Sequence, residues 1–325
     1  MNRRRWMASV GGGGGAAAAA ALMATRARGA PRRQFAGTWR AAAEIPTARS
    51  EVAAATVGDT IYVLGGLAFD GSTLATVEAN AASDESWHVA THLPQPRDHL
   101  AAVGADGLLW AVGGSPGWFN QETSQTMWVY DPVLRTWDSR APLPLGRAAH
   151  AAAEIAGRIY VAGGIGPEPQ RVMVYDTLAD RWSFVAPLSR PREHLSAAAL
   201  DGALYLIGGR WGDVGNVATL EQYDPAADRW QPLPPMPTPR GGLAAAALGG
   251  RLWVIGGEVL DESRVTFPQL EVYDPALGAW GSAPPAPTGR HGLAAAVRDG
   301  ELYVLAGGRL AGLDVSGVTE IFTPG

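Results

Sequence analysis

Short apolar runs recur along this chain at a nearly constant interval, each closing on two glycines: IYVLGG, LLWAVGG, IYVAGG, LYLIGG, LWVIGG and LYVLAGG. The doublets Gly65-Gly66, Gly113-Gly114, Gly163-Gly164, Gly208-Gly209, Gly256-Gly257 and Gly307-Gly308 are 48, 50, 45, 48 and 51 residues apart. Apolar runs this short, bounded by glycine, predict buried strands rather than helices. Ahead of each lies a run of small residues that follows an arginine, as in RSEVAAATV, RDHLAAVG and RHGLAAAV. Two-residue turns such as Gly58-Asp59 and Asp201-Gly202 join the two runs, which is a hairpin signal. A third segment ends in Tyr-Asp, at Tyr130, Tyr175, Tyr223 and Tyr273. A fourth carries a tryptophan, at Trp87, Trp137, Trp182, Trp230 and Trp280. A fixed period of this length signals one supersecondary unit per repeat.

Four antiparallel strands in about 50 residues describe a propeller blade. The chain therefore predicts an all-β, six-bladed propeller, its Ala/Gly-rich strands crowded at the centre of the ring. Gly-Gly after an apolar strand, then Tyr-Asp, then Trp at this period resembles the Kelch repeat, and the resemblance covers Thr38–Gly325. Two copies depart from it. The first reads Val77-Glu78-Ala79-Asn80 where Tyr-Asp belongs, and the last ends VTEIFTPG without a tryptophan. Because Trp39 stands upstream with no blade of its own, the Thr38–Arg40 strand is expected to complete the last blade and leave no open edge.

The first thirty residues read differently. Arg3, Arg4, Arg5, Arg26 and Arg28 flank the weakly apolar stretch SVGGGGGAAAAAALMA, too short and too weakly apolar for a bilayer of about 30 Å. A basic segment, a short apolar segment and small residues predict an export signal over 1–30, and Arg3-Arg4-Arg5-Trp6-Met7 resembles the twin-arginine pattern. The propeller then occupies 31–325, and a periplasmic or extracellular protein with no membrane span is expected. Beyond residue 30 the chain has 21 arginines against 31 acids, a balance of −10. That argues against nucleic acid as a partner. The absence of cysteine excludes disulfides and thiolate chemistry, and the absence of lysine excludes Schiff-base chemistry. No cofactor is expected, and a monomer is.

Loops in an up-and-down blade alternate between two faces. The fourth-to-first and second-to-third loops share one face and are the longer and more irregular, so the site is expected there. The long loops are Ser115–Thr126, Arg210–Ala218 and Glu258–Gln269. Arg49, Arg97, Arg147, Arg192, Arg240 and Arg290 approach that face once per blade. They read either as a positive ring gripping carboxylates or as part of each blade's framework. Beside them sit Glu51, Asp98, His99, His150, Glu193, His194 and His291; of these, Glu193, His194 and His99 are the candidate proton-transfer groups and His291 a candidate ligand contact. Trp118, Arg210 and Trp211 on the long loops are candidate ligand contacts, with the tryptophans able to stack on a sugar or anchor a partner. The histidine spacing resembles no ligand motif, so no metal is expected.

The Kelch resemblance implies a non-catalytic module that binds a protein, a peptide or a carbohydrate on this face. A galactose-oxidase-like activity is set aside because it needs a cysteine. A sialidase is set aside because Ser-x-Asp-x-Gly-x-x-Trp hairpins are absent. Exported Kelch proteins that interconvert sialic-acid anomers, the bacterial N-acetylneuraminate epimerases, are similar in size and supply the alternative reading, an isomerase using an acid, a base and an arginine.

Overall fold

A computed structural model describes residues 33–117, 122–260 and 263–325, and the expected export signal lies outside them. Six antiparallel sheets of four strands surround an axis, in the strand order of the sequence repeat. The blades run from Ala53–Val57 through His88–His92, and so on around to Ala294–Arg298, Glu301–Leu305 and Thr319–Pro324. The last blade is completed by Gly37–Ala41, antiparallel to Thr319–Pro324 with Trp39 opposite Phe322, as the stray tryptophan predicts. Among the described residues no helix is long and apolar enough to cross a membrane.

Three devices lock the ring, and the first two explain repeated residues. The first glycine of each doublet adopts a left-handed φ, 60° at Gly113, where a Cβ would lie 2.6 Å from the carbonyl oxygen of Arg147. That close approach lets the second glycine's N–H donate to the arginine carbonyl of the next blade. Examples are Gly66 to Arg97 at 2.9 Å and Gly114 to Arg147 at 2.8 Å, and Gly307 closes the circle on Arg49 at 2.9 Å. In the sixth blade the pair doing this work is Ala306-Gly307, one residue ahead of the sequence doublet, with Ala306 taking the left-handed position at φ 56°.

The tryptophans form the second device. Each indole N–H donates to the preceding blade: Trp182 to Ala141 O, Trp230 to Ala186 O, Trp280 to Pro234 O and Trp39 to Pro284 O, all at 2.8 Å. In the four blades that carry Tyr-Asp the ring also packs on that tyrosine, with centroids 5.0 Å apart for Tyr175–Trp182 and Tyr223–Trp230, while Trp39 packs on Phe322. The third device repairs the divergent first blade. Asn80 sits in the tyrosine position, and Arg298 of the last blade donates to its carbonyl at 2.6 Å and to its side-chain oxygen at 3.0 Å.

One strand is additional to the expected four per blade. Arg33–Gln34 pairs in parallel with Ala279–Ala283 as a fifth strand of the fifth blade. The place is open because Gly281 stands where the third and fourth blades carry Ser183 and Gln231; a Cβ there would collide with the carbonyl of Arg33. The N-terminal segment thus clasps two blades in succession.

Candidate functional site

The residue two places after each repeated arginine forms a ring at the mouth of the axis: Glu51, His99, Ala149, His194, Gly242 and Gly292. All six have left-handed φ, between 50° and 68°. Their backbones make a closed belt across the blades. His99 N–H donates to Glu51 O at 3.1 Å, Ala149 to His99 at 2.8 Å, His194 to Ala149 at 2.9 Å, Gly242 to His194 at 2.9 Å and Gly292 to Gly242 at 3.0 Å; Val52 N–H closes onto Gly292 O at 3.4 Å. Three ring positions carry small residues or none, so the three polar side chains have room on the axis.

Above this belt lies a cavity of about 370 Å³, a volume typical of sites for small ligands. Glu51, His99 and His194 are at its floor, and Arg210, Glu258 and Ile165 stand on its wall. The cavity opens among the fourth-to-first and second-to-third loops. His99 Nε2 is 3.3 Å from Glu51 Oε2, and His194 Nε2 is 4.0 Å from the same oxygen. His99 Nδ1 lies 2.6 Å from Asp98 Oδ1, and His194 Nδ1 contacts Glu193 in the same way. His291, fully buried, places Nδ1 3.5 Å from Glu51 Oε1 and 3.4 Å from Glu258 Oε2. The two rings His99 and His194 meet edge to face, with centroids 5.1 Å apart.

Burial alone would raise the Glu51 carboxyl, but the three histidines around it hold it well below the usual carboxylate range. Burial lowers His99 and His291, and their carboxylate neighbours, Glu51 foremost, more than reverse this. For His194 burial prevails and its pKa falls, helped by His99 and Arg210. Among the described residues, the cavity and its margin hold five carboxylates (Glu51, Asp98, Glu122, Glu193 and Glu258) against one arginine and the two histidines held up, an excess of negative charge.

Of the sequence candidates, Glu193, His194, His99, His291 and Arg210 come together here. The arginine ring does not. Arg49, Arg147, Arg240 and Arg290 are 0% exposed and Arg97 and Arg192 at most 5%, so none can grip a ligand at the rim. In three blades the guanidinium, of Arg49, Arg240 or Arg290, turns back beneath its own blade and donates to carbonyls at the Gly-Gly turn and the start of the third strand. Arg290 reaches Ala306 O at 2.7 Å and Val318 O at 2.8 Å, and Arg240 reaches Gln269 O at 2.9 Å. Four also pair with a glutamate on the third strand: Arg49 with Glu78, Arg192 with Glu221 at 2.5 Å, Arg240 with Glu271 at 2.9 Å and Arg290 with Glu320 at 2.8 Å. Where that position is Trp128, Arg97 stacks over the indole at 4.9 Å. Where it is Met173, Arg147 binds carbonyls of Pro167 and Glu168, and burial pushes it down to about 10 against the pull of Glu168.

Trp211 is half-buried beneath Arg190, 4.2 Å from the guanidinium carbon, and is not part of the cavity wall. Trp118 lies outside the described residues. Glu51 and Glu258 are the groups sequence reasoning undervalued. Glu51 shares its repeat position with His99 and His194, and that shared position was the available signal.

One further histidine has a different place. His150 occupies the layer below the belt, where the other blades carry Val52, Leu100, Leu195, Leu243 and Leu293. It is 6% exposed, and among the described residues neither ring nitrogen has a hydrogen-bond partner. Burial, with Arg147 nearby, pushes its pKa down to about 3. The unfolded chain, near 6.5, then binds a proton that the native state refuses between about pH 6.5 and pH 3. Stability present above pH 6.5 is therefore lost as pH falls, at up to about 1.4 kcal/mol per pH unit. His150→Leu is expected to remove that slope and to stabilise the protein at neutral pH by about 1–3 kcal/mol, the cost of an unsatisfied buried polar group. Urea titrations at pH 7.5 and pH 5 check this. A variant whose midpoint falls with pH as steeply as the wild type would contradict it.

Comparison with known proteins agrees with the architecture. The KLHDC2/KLHL20/DRC7 Kelch-repeats domain matches residues 138–308, and the Kelch motif matches residues 48–79 and 96–144. Beta-scruin of Limulus polyphemus is 32% identical over 133 residues, which are 40% of this chain and 14% of that protein. Kelch-like protein 33 of Homo sapiens is 36% identical over 116 residues, 35% of this chain and 21% of that protein. The similarity thus spans well under a third of either relative's length. A solved structure titled "Structure of YjhT" superimposes with a TM-score of 0.73 at 18% identity, covering 86% of this chain and 95% of its own, and so shares the fold. With one Kelch-repeats domain matched over more than half of its length and the motif matched again ahead of it, the chain belongs to the Kelch-repeat family.

Proposed function

We propose that this propeller is a protein- or peptide-binding module that draws a donor-rich or positively charged group of its partner into the axial cavity. Kelch propellers commonly bind proteins. The observation that carries the ligand class is the carboxylate excess around a 370 Å³ cavity that opens on the face of the long loops. A lysine or arginine side chain, or a free amino terminus, matches that charge, and the apolar wall at Ile165 and Leu260 suits its aliphatic stem. A carboxylate ligand is disfavoured. Arg210, the one arginine among the described lining residues, is already matched by Glu258, with Glu193 4.0 Å away. The same charge disfavours a sialic-acid isomerase, whose substrate carries a carboxylate. The N-terminal segment of this module would direct its export, checked by whether protein recovered from a cell envelope begins near residue 31.

The test is fluorescence anisotropy with labelled peptides rich in lysine and arginine, or in aspartate and glutamate, in buffer containing EDTA. Basic peptides should bind, more weakly as salt rises. Glu51→Gln and Glu122→Gln, each removing a charge from the cavity, should weaken them about 10-fold, within the range for close charge pairs across an interface. Acidic peptides binding as well as basic ones, or variants without effect, would overturn the reading; a response only to neutral glycans would replace it.

A further inference from the structure

We propose that Glu51, His99 and His194 form a binding site for one divalent transition-metal ion, best matched by zinc, at the floor of the axial cavity. One carboxylate oxygen and one nitrogen from each imidazole lie within 4.8 Å of one another. Ligands around a tetrahedral zinc at 2.0–2.1 Å stand about 3.3 Å apart. The His99–Glu51 pair is already at 3.3 Å, and the His194–Glu51 pair at 4.0 Å needs to close by less than 1 Å. Two imidazoles and a carboxylate with the remaining position open are the donor set of catalytic zinc sites, and imidazole is a good ligand for this class of ion.

The groups behind the three ligands strengthen the assignment. Metal-bound histidines commonly direct the other ring nitrogen to a carboxylate, which fixes the ring and its tautomer. Both histidines have that arrangement: Nδ1 of His99 on Asp98, itself held by Thr73 Oγ1 at 2.7 Å, and Nδ1 of His194 on Glu193. Each Nε2 is thereby turned toward Glu51. His291 Nδ1 lies 3.5 Å from the other oxygen of Glu51. All three ligands stand on the hydrogen-bonded belt, so their backbones are held before an ion arrives. The small residues Ala149, Gly242 and Gly292 at the other ring positions leave space on the axis, and the cavity above leaves a coordination position for water or a ligand. Histidine spacing in the chain gave no hint of this, because the three ligands come from three blades and fall 48 and 95 residues apart.

The experiment uses the full chain stripped with EDTA and then titrated with zinc chloride alone, followed by calorimetry and by elemental analysis after dialysis. One ion per chain is expected, and cobalt(II) in its place should give visible absorption bands of low-coordinate geometry. Asparagine tolerates the left-handed backbone at these positions, so His99→Asn and His194→Asn should fold, as unchanged melting in EDTA would verify. Each of these, and Glu51→Gln, should weaken binding at least 10-fold, and Asp98→Asn by about 10–100-fold. His88→Asn, on the exposed fourth strand of the first blade, should leave binding unchanged. No stoichiometric zinc, or wild-type affinity in the folded His99→Asn/His194→Asn double variant, overturns the site. Since no peptide enters this titration, its failure leaves the peptide reading standing, and the EDTA-buffered peptide assay can fail while this one succeeds.

Discussion

A chain beginning at Pro46 is expected to lose cooperative folding, or to melt at least ~10 °C below one beginning at Pro31. The segment between them closes the propeller twice. Gly37–Ala41 is the outer strand of the sixth blade, and Arg33–Gln34 extends the fifth. With it go the stack of Trp39 on Phe322, centroids 5.1 Å apart, and the indole hydrogen bond to Pro284 O. Ile45, 2% exposed and bonded through its N–H to Gly317 O at 2.7 Å, goes too. Losing one large buried aromatic commonly costs about 3–5 kcal/mol, and Trp39, being only half-buried, contributes less. Losing the strand with it removes a large part of a total near 5–15 kcal/mol. Each kcal/mol moves the melting temperature of a domain of this size by ~2–4 °C. Removal also uncovers the edge of Thr319–Pro324, a template for aggregation. Calorimetric scans of the two chains decide it, and melting within about 2 °C of each other would show the closure to be dispensable.

The second large effect concerns the arginines. Arg290→Leu should destabilise the propeller by about 3–5 kcal/mol, because it strands the buried carboxylate of Glu320 together with the carbonyls of Ala306 and Val318. Adding Glu320→Leu should recover part of that loss, since the stranded charge is then gone while the carbonyls still lack a donor. Arg147→Leu should cost less, about 1–3 kcal/mol, because Met173 rather than a glutamate faces it and no charge is left behind. Urea midpoints for the four proteins measure this ordering. An Arg290→Leu variant within about 1 kcal/mol of wild type would mean that the guanidinium is not the keystone its burial indicates.

These arginines also show where the sequence could and could not be read. Their recurrence was plain, and a solvent-facing ring was one of two fair readings of it. The decisive signal was present but distributed: Glu78, Glu221, Glu271 and Glu320 follow their arginines by 29, 29, 31 and 30 residues, and the glutamate is missing where Trp128 and Met173 stand. Recognising those pairs requires knowing that the third strand passes beneath the arginine's own loop. Pairing of that kind is a tertiary fact, because an arginine looks the same in sequence whether it faces water or a carboxylate.

Glycine, tyrosine and tryptophan, by contrast, were legible one blade at a time. Each acts within its repeat or on the adjacent one, and the same local demand recurs from blade to blade, six times for the glycine turn and four times for Tyr-Asp. A left-handed turn, a ring stack and an indole hydrogen bond each select a residue type, so the repeat, the blade count and the closure by Trp39 followed from the order of residues alone. The fifth strand at Gly281 did not follow, since a glycine that leaves space does not say what fills it.

The site belongs to the tertiary structure for a related reason. Glu51, His99 and His194 are three members of one ring position, and nothing between them in sequence marks them as neighbours. The left-handed belt aims all three at the axis, while Ala149, Gly242 and Gly292 stand aside. The sequence by itself determined the propeller, because each blade pairs its own four strands and packs its core only against the blades on either side. Only the closed ring decided the site, because closure brings one side chain from each of several blades to a common centre.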